Sequence, residues 1–398
     1  MHVGLVLTGG GARAAYQAGA LRALAQILPA GALPFRILCG ISAGGVNACF
    51  LGGNAADFRG AADGLADLWL GLTPDQVYRT DTARMLAIGT RWARDLSAGG
   101  LFRRSKINFL LDATPLRDLL HENLPLLRLR QNLSSGVLSG FAVTATSYAS
   151  SVAVTFFDGA PSIEPWVRAT RVGVRESIRL DHVMASAAIP IFFPPVRIKG
   201  AWYGDGSVRM TAPLSPAVHM GAERLVVVGV RRWRNPEELV PGLRPPRKES
   251  LAPSEIAGTL LNAAFLESIE ADVERLERIN QLVEMVPPGE RGKLPHDMRF
   301  IPALVLRPSR DLGELAGDQH KRFPRFLRYL LSGLGANGGN ASDLLSYLAF
   351  EPVYVKRLVE LGYEDTLSRR REVELFFAEG TPSRDRPRAG LERRPASR

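Results

Sequence analysis

Ser42 lies in the pentapeptide Gly40-Ile41-Ser42-Ala43-Gly44, a spacing that suits nucleophilic attack on an acyl carbon. A Gly-x-Ser-x-Gly sequence turns a chain sharply from strand to helix and exposes the serine hydroxyl at the top of a sheet. The flanks meet that demand. Phe35 to Cys39 is apolar apart from Arg36 and reads as a strand; Ala43 to Leu51 supplies small and apolar residues for a helix. Alone, the pentapeptide would equally fit a glycine-rich turn with an incidental serine. Between this strand and this helix, the nucleophile is the better reading.

A second glycine cluster, Thr8-Gly9-Gly10-Gly11-Ala12-Arg13, follows a strand expected over His2 to Leu7. It precedes a helix expected over Ala14 to Gln26, with Ala14, Ala18, Leu21, Leu24 and Ala25 at helical spacing. A glycine loop at a helix N-terminus points backbone N–H groups at an anion. As a dinucleotide fingerprint it would read Gly9-x-Gly11-x-x-Ala14, yet no acid stands between Leu21 and Cys39, where the ribose partner is due. As a phosphate loop it lacks the Gly-Lys-Ser/Thr ending. An oxyanion hole beside Ser42 needs only the amides, and that reading is adopted.

A serine needs a base. The six histidines are His2, His121, His182, His219, His296 and His320, and none has a catalytic setting in the sequence. The stronger candidate is Asp205 in Trp202-Tyr203-Gly204-Asp205-Gly206-Ser207, after the apolar, proline-bearing run Ala185 to Val196. Glycines on both sides of one acid suit close backbone approach. Taken alone, the same residues describe an Asp-Gly hairpin turn between Ile198 and Val208.

Together these motifs resemble the patatin-like phospholipase family. That family carries a Gly-Gly-Gly-x-Arg-Gly loop, a Gly-x-Ser-x-Gly elbow some thirty residues later and a distal Asp-Gly-Gly or Asp-Gly-Ala. Here they read Gly9-Gly10-Gly11-Ala12-Arg13-Ala14, Gly40-Ile41-Ser42-Ala43-Gly44 and Asp205-Gly206-Ser207. Ala185-Ser186-Ala187-Ala188-Ile189-Pro190, with Phe193-Pro194-Pro195, is similar to the family's approach to the aspartate, and the resemblance spans about Met1 to Val230. Ala14 and Ser207 depart from the pattern.

The resemblance implies an α/β fold: a patatin-like three-layer α/β/α sandwich with a mostly parallel central sheet and a C-terminal helical extension. It also implies a Ser42–Asp205 dyad cleaving lipid acyl esters, with the amides of Gly9, Gly10, Gly11, Ala12 and Ala43 around the oxyanion. Gly40, Gly44 and Gly206 shape the motifs. Arg13 either holds the loop through backbone carbonyls, the favoured role, or meets a lipid phosphate. No cofactor and no metal is implied. Two alternatives stand beside the dyad. Ser42, Asp205 and His219 follow the chain order of an α/β-hydrolase triad, although that fold draws its oxyanion loop from a later strand and His219 falls in a helix expected over Ser215 to Gly221. A non-catalytic lipid- or partner-binding module is the other, opposed by the intact motif residues.

The elements that must position these groups are embedded in 398 residues that are 46% hydrophobic and 23% charged, enough for one large α/β core. No run of roughly 20 apolar residues suggests a membrane span. The start shows no leader pattern, so the chain reads as cytoplasmic. Cys39 and Cys49 flank the elbow and read as buried thiols. Of the net charge of +10, four units come from a Pro-rich tail after Thr381, with six arginines against Asp385 and Glu392. With Arg231, Arg232, Arg234, Arg244, Arg247 and Lys248, these basic stretches suit either an anionic membrane surface or plain solvation. No motif supports nucleic-acid binding.

Four segments are expected. Residues 1–230 form the catalytic core; 231–310 hold a linker, a long helix and another strand; 311–380 form a helical region; 381–398 are a disordered basic tail. Within them, Ala55 to Ser97 reads as mostly helical, with Trp69, Leu72 and Trp92 covering the site or sheet. Phe141 to Thr146 and Val152 to Phe157 read as paired strands turning near Ser150, and Leu225 to Val230 and Phe300 to Leu306 as further strands. Pro236 to Pro253 reads as a connection, and Ser254 as the cap of a helix whose apolar set runs from Ala257 to Val283. Ser342 to about Phe377 reads as helical, either lid, dimer surface or end cap.

Overall fold

The computed structural model describes residues 2–79, 90, 109–233, 268–295, 298–317 and 346–378. Ten strands form one sheet: β1 (Val3–Leu7), β2 (Ile37–Ile41), β3 (Gly140–Ser147), β4 (Ala153–Gly159), β5 (Trp166–Arg168), β6 (Arg171–Arg175), β7 (Val196–Ile198), β8 (Ala201–Asp205), β9 (Arg224–Val228) and β10 (Ala303–Leu306). Their order is β10-β9-β1-β2-β3-β4-β6-β5, with β8 also on β3 and β7 on β8. From β10 to β3 every pairing is parallel. Strands buried on both faces have to be apolar throughout, and Val-Gly-Leu-Val-Leu in β1 and Ile-Leu-Cys-Gly-Ile in β2 meet that condition, every residue buried.

The helices are α1 (Ala15–Ile27), α2 (Ala43–Gly53), α3 (Phe58–Leu70), α4 (Pro74–Val77), α5 (Thr114–Asn123), α6 (Leu126–Ser134), α7 (Leu180–Ser186), α8 (Ser215–His219), α9 (Ser268–Met285), α10 (Leu312–Gly317), α11 (Pro352–Ser368) and α12 (Arg370–Ala378). Alternation along the strands divides the core. Leu5, Leu7, Leu38 and Phe141 pack with α1, α2, α3 and α11, whereas Val6, Ile37, Cys39 and Ala142 pack with Ala217 of α8 and Ile269, Val273 and Leu276 of α9. The result is an α/β/α sandwich, as expected, with C-terminal helices on the first face.

One register detail positions the site. β3 pairs with β2 as far as Thr144↔Ile41, where the chain leaves the sheet at the elbow. From the next residue the freed edge is taken by β8, with Ala145↔Asp205. Asp205 therefore arrives where β2 stops, beside Ser42.

The strands expected near Phe141, Val152, Leu225 and Phe300 are present, the last shortened to Ala303–Leu306. A hairpin does lie in the Ile198 region, but its turn is Lys199-Gly200 between β7 and β8; Asp205-Gly206 instead leads into a 3-10 turn over Gly206–Val208. Trp69 and Leu72 are buried in the first core. Trp92, His296, His320, the connection Pro236 to Pro253, the caps Ser254 and Ser342 and the tail after Thr381 lie outside the described residues.

Candidate active site

Ser42 takes φ 54° and ψ −131°, a left-handed conformation that a side chain rarely adopts. Such a residue costs of order 1–3 kcal/mol and persists only where its surroundings hold it. The hold is specific. Ser42 N–H donates to Ser186 Oγ at 2.8 Å, and Ser186 Oγ donates to Thr144 O at 2.6 Å, joining the elbow to α7 and β3. Gly44 permits the turn because a Cβ there would lie 2.3 Å from Leu7 O. Gly40 sits equally close to the Gly44–Gly45 backbone.

Ser42 Oγ donates to Asp205 Oδ2 at 2.6 Å. Asp205 is fully buried, its other oxygen accepting the Ser207 N–H at 2.8 Å. Its backbone is held on both sides: the N–H donates to Ala188 O, and its carbonyl accepts from Thr146 Oγ1. Burial raises the carboxyl to about 6, against the hydrogen bonds from Ser42 and Ser207 that favour its charged form. The Ser207 Oγ is buried and has no hydrogen-bond partner among the described residues. Gly206 packs on Thr144 O, a contact a Cβ would block.

The glycine loop closes the other side. The position a Cβ would occupy on Gly9 is 3.0 Å from Ser42 Cβ and 2.3 Å from Ser207 Oγ, so the loop runs directly over both. Gly10 precedes a 3-10 turn formed by Gly11, Ala12, Arg13 and Ala14, and Ala43 opens α2. Both turns start at the end of β1 and β2 where Ser42 stands, and the Arg13 and Gly45 amides are used within them, on Gly10 O and Ser42 O.

Arg13 is 2% exposed. Its Nε donates to Ser346 Oγ at 2.6 Å and its guanidinium lies 4.7 Å from the Tyr347 ring centroid, while Tyr347 O packs on Gly11. These contacts tie the glycine loop to the C-terminal segment around Ser346 and Tyr347. A buried polar chain, unread in the sequence, braces the same loop. Gln17 Nε2 donates to Thr8 O and Val228 O, Asn47 Nδ2 to Gln17 Oε1, and Trp69 Nε1 to Asn47 Oδ1. Gln17 and Asn47 are wholly buried amides on helices, and that polarity inside an apolar pattern was the available signal.

His219 is not brought to this site. It stacks on Trp166 at 4.8 Å, and its Nδ1 is hydrogen-bonded to Ser215 O in its own helix. α8 leads back to the start of β9, the end of the sheet opposite the elbow. His182 is buried against Phe156, with burial lowering it to about 4, and also stays apart.

A parallel sheet with a serine elbow at its carboxyl end, a glycine loop overhead and a buried acid in contact defines an α/β acyl hydrolase. The model of the patatin-like phospholipase family matches residues 5–218, more than half of the chain, and the chain belongs to that family. It is a lipid acyl hydrolase. Among curated proteins, none matches the sequence. Solved structures give distant likenesses. VipD from Legionella pneumophila is 13% identical, over 93% of this chain and 67% of its own, at TM-score 0.33. Human GIVD cytosolic phospholipase A2, in complex with methyl gamma-linolenyl fluorophosphonate, is 14% identical over 95% of this chain, at TM-score 0.42; the chain spans only 59% of that protein's length. The complex of SpcU with ExoU from Pseudomonas aeruginosa is 15% identical over 94% of this chain and 78% of its own, at TM-score 0.25.

Proposed function

We propose that Ser42 and Asp205 are the catalytic dyad of a carboxylic-ester hydrolase of the phospholipase A, lysophospholipase or esterase type. The observation that carries this reading is the 2.6 Å hydrogen bond from Ser42 Oγ to the fully buried Asp205. Ser42 Oγ attacks the ester carbonyl carbon while its proton passes to Asp205 Oδ2. The carbonyl oxygen becomes an oxyanion, for which the amides of the Gly9-Gly10-Gly11-Ala12 loop and of Ala43 are the donors. Collapse breaks the bond to the alcohol, which takes the proton back from Asp205. Water then adds to the acyl-serine, gives its proton to Asp205, and the fatty acid leaves as Ser42 regains its hydrogen. Each preorganised donor contributes about 3 kcal/mol to such a reaction. The raised Asp205 supports the role, since a carboxylate near 6 is a better base than one near 4.

The reading carries a cytoplasmic enzyme with peripheral membrane contact; among the described residues no helix is long and apolar enough to cross a membrane. The test is labelling of the purified protein with a fluorophosphonate, with and without detergent or liposomes, and location of the adduct by peptide mass spectrometry. An adduct on Ser42, lost in Ser42→Ala and Asp205→Asn but kept in His219→Ala, is the expected result. Loss of labelling in a folded His219→Ala would replace the dyad with a triad. A folded wild type that never labels would leave a binding module instead.

A further inference from the structure

The end of the sheet that holds Ser42 carries a rim built from three neighbouring pieces: the β3–β4 turn, the β5–β6 turn and the β7–β8 hairpin with the chain after Asp205. They are tied to one another. Tyr148 N–H donates to Trp202 O, Arg209 Nε to Ser151 O at 2.7 Å, Ala153 N–H to Thr170 O, and Arg171 Nη1 to Thr211 Oγ1 at 3.5 Å. Segments 145–155, 166–173 and 196–212 contain Arg168, Arg171, Arg197, Lys199 and Arg209, and their only acid is the buried Asp205. Lys199 is paired with Glu176. Arg168, Arg197 and Arg209 have no ion pair among the described residues; their recorded bonds go to the carbonyls of Val167, Gly200 and Ser151.

Two large amphipathic rings stand in this basic field. Trp202 is 50% exposed with Arg197 over its ring at 6.0 Å, and Tyr148 is 47% exposed. Tyr148 stands beside the acid and Trp202 further out along the acid's strand. Tyr148 packs on Gly204, where a Cβ would strike its hydroxyl, and Trp202 lies three residues before Asp205 on β8, about 10 Å along a strand.

We propose that this rim is the surface on which the enzyme docks to an anionic lipid bilayer, with the arginines on lipid phosphates and Trp202 and Tyr148 in the headgroup layer. Trp and Tyr favour that depth, and each basic residue near an anionic leaflet adds attraction equivalent to roughly fivefold in binding. Docking here sets the outer end of β8 against the source of substrate, with Asp205 at its inner end. The inference rests on the Ser42–Asp205 reading for its purpose but not for its test.

The full-length protein is sedimented with phosphatidylcholine vesicles and with vesicles also containing phosphatidylglycerol. Hydrolysis of a water-soluble short-chain ester is measured in parallel. Wild type should bind only the anionic vesicles, with a blue shift of tryptophan emission that Trp202→Phe diminishes. R168E/R197E/R209E should bind at least about 100-fold more weakly while hydrolysing the soluble ester at the wild-type rate. Should the reversals disturb folding, the milder R168Q/R197Q should still weaken binding about 30-fold. Undiminished binding by a folded variant would locate attachment elsewhere, as in the arginine-rich stretches near 231–248 and after 381, and would overturn the proposal. Equal binding of wild type to both vesicles, or to neither, would overturn it too. Vesicle binding without ester hydrolysis by the wild type would sink the dyad and leave the docking surface standing.

Discussion

As the base of the proposed dyad, Asp205 would act only without its proton, and its burial makes that form costly to keep. A folded value of about 6 means that kcat/KM for a neutral ester should fall as pH drops through about 6, following one proton. A pH–rate profile checks this; a limb near 4 would mean a more hydrated acid. The same shift has a stability sign. The folded chain holds the proton more tightly than the unfolded one, whose carboxyl titrates near 3.8, so stability is lost as pH rises between these values and the loss is complete above about 6. Two pH units correspond to about 3 kcal/mol. Asp205→Asn, which can keep a contact to Ser42 and still accept the Ser207 N–H, should abolish turnover. It should also raise the unfolding free energy by about 2–3 kcal/mol above about pH 6, and not below about pH 4. Urea unfolding at two pH values decides it; equal differences at both would show that the ionised acid is not strained in the fold.

Helix α1 and helix α11 approach closely enough for backbone to meet backbone. A Cβ on Gly19 would lie 1.9 Å from Val359 O, and one on Gly362 would lie 2.0 Å from Tyr16 O. Tyr16 OH donates to Asp365 across the same contact. Gly362→Ala should therefore force the helices apart and destabilise the protein by about 1–3 kcal/mol, although alanine is the better helix former. Thermal or urea unfolding measures the change; a neutral or stabilised variant would mean the two helices can slide without loss. The helical spacing of Ala14, Ala18, Leu21, Leu24 and Ala25 marks α1 in the sequence, but nothing local marks its outer face as reserved for a segment more than 300 residues later.

Over the whole molecule, what was legible is what is local. The strand, glycine loop and helix at the start, and the elbow after β2, each need only a dozen consecutive residues of the right type. Strands β5 to β8 carry too little period to read as strands, since each has only three to five residues and, in β5 to β7, arginines interrupt the apolar pattern. The glycines beside Asp205 mark it in the sequence, yet its pairing opposite Ala145, the cause of its contact with Ser42, depends on register between distant strands. Ser186, Thr144 and Ser346 were missed as supports for the same reason: each acts on a residue far away in sequence.

The anchoring of Arg13 by Ser346 also has a consequence in time. Synthesis proceeds from the N-terminus at about 5–20 residues per second, so the glycine loop emerges before Ser346 and waits for its brace through the 333 positions that separate the two residues. At those speeds the interval is roughly 15 to 70 seconds. Through that interval the loop lacks the segment that packs on Gly11 and holds Arg13, and a half-made chain carries its serine without the finished cradle above it. The brace on the glycine loop of this lipid acyl hydrolase is therefore in place only after the segment around Ser346 has been made.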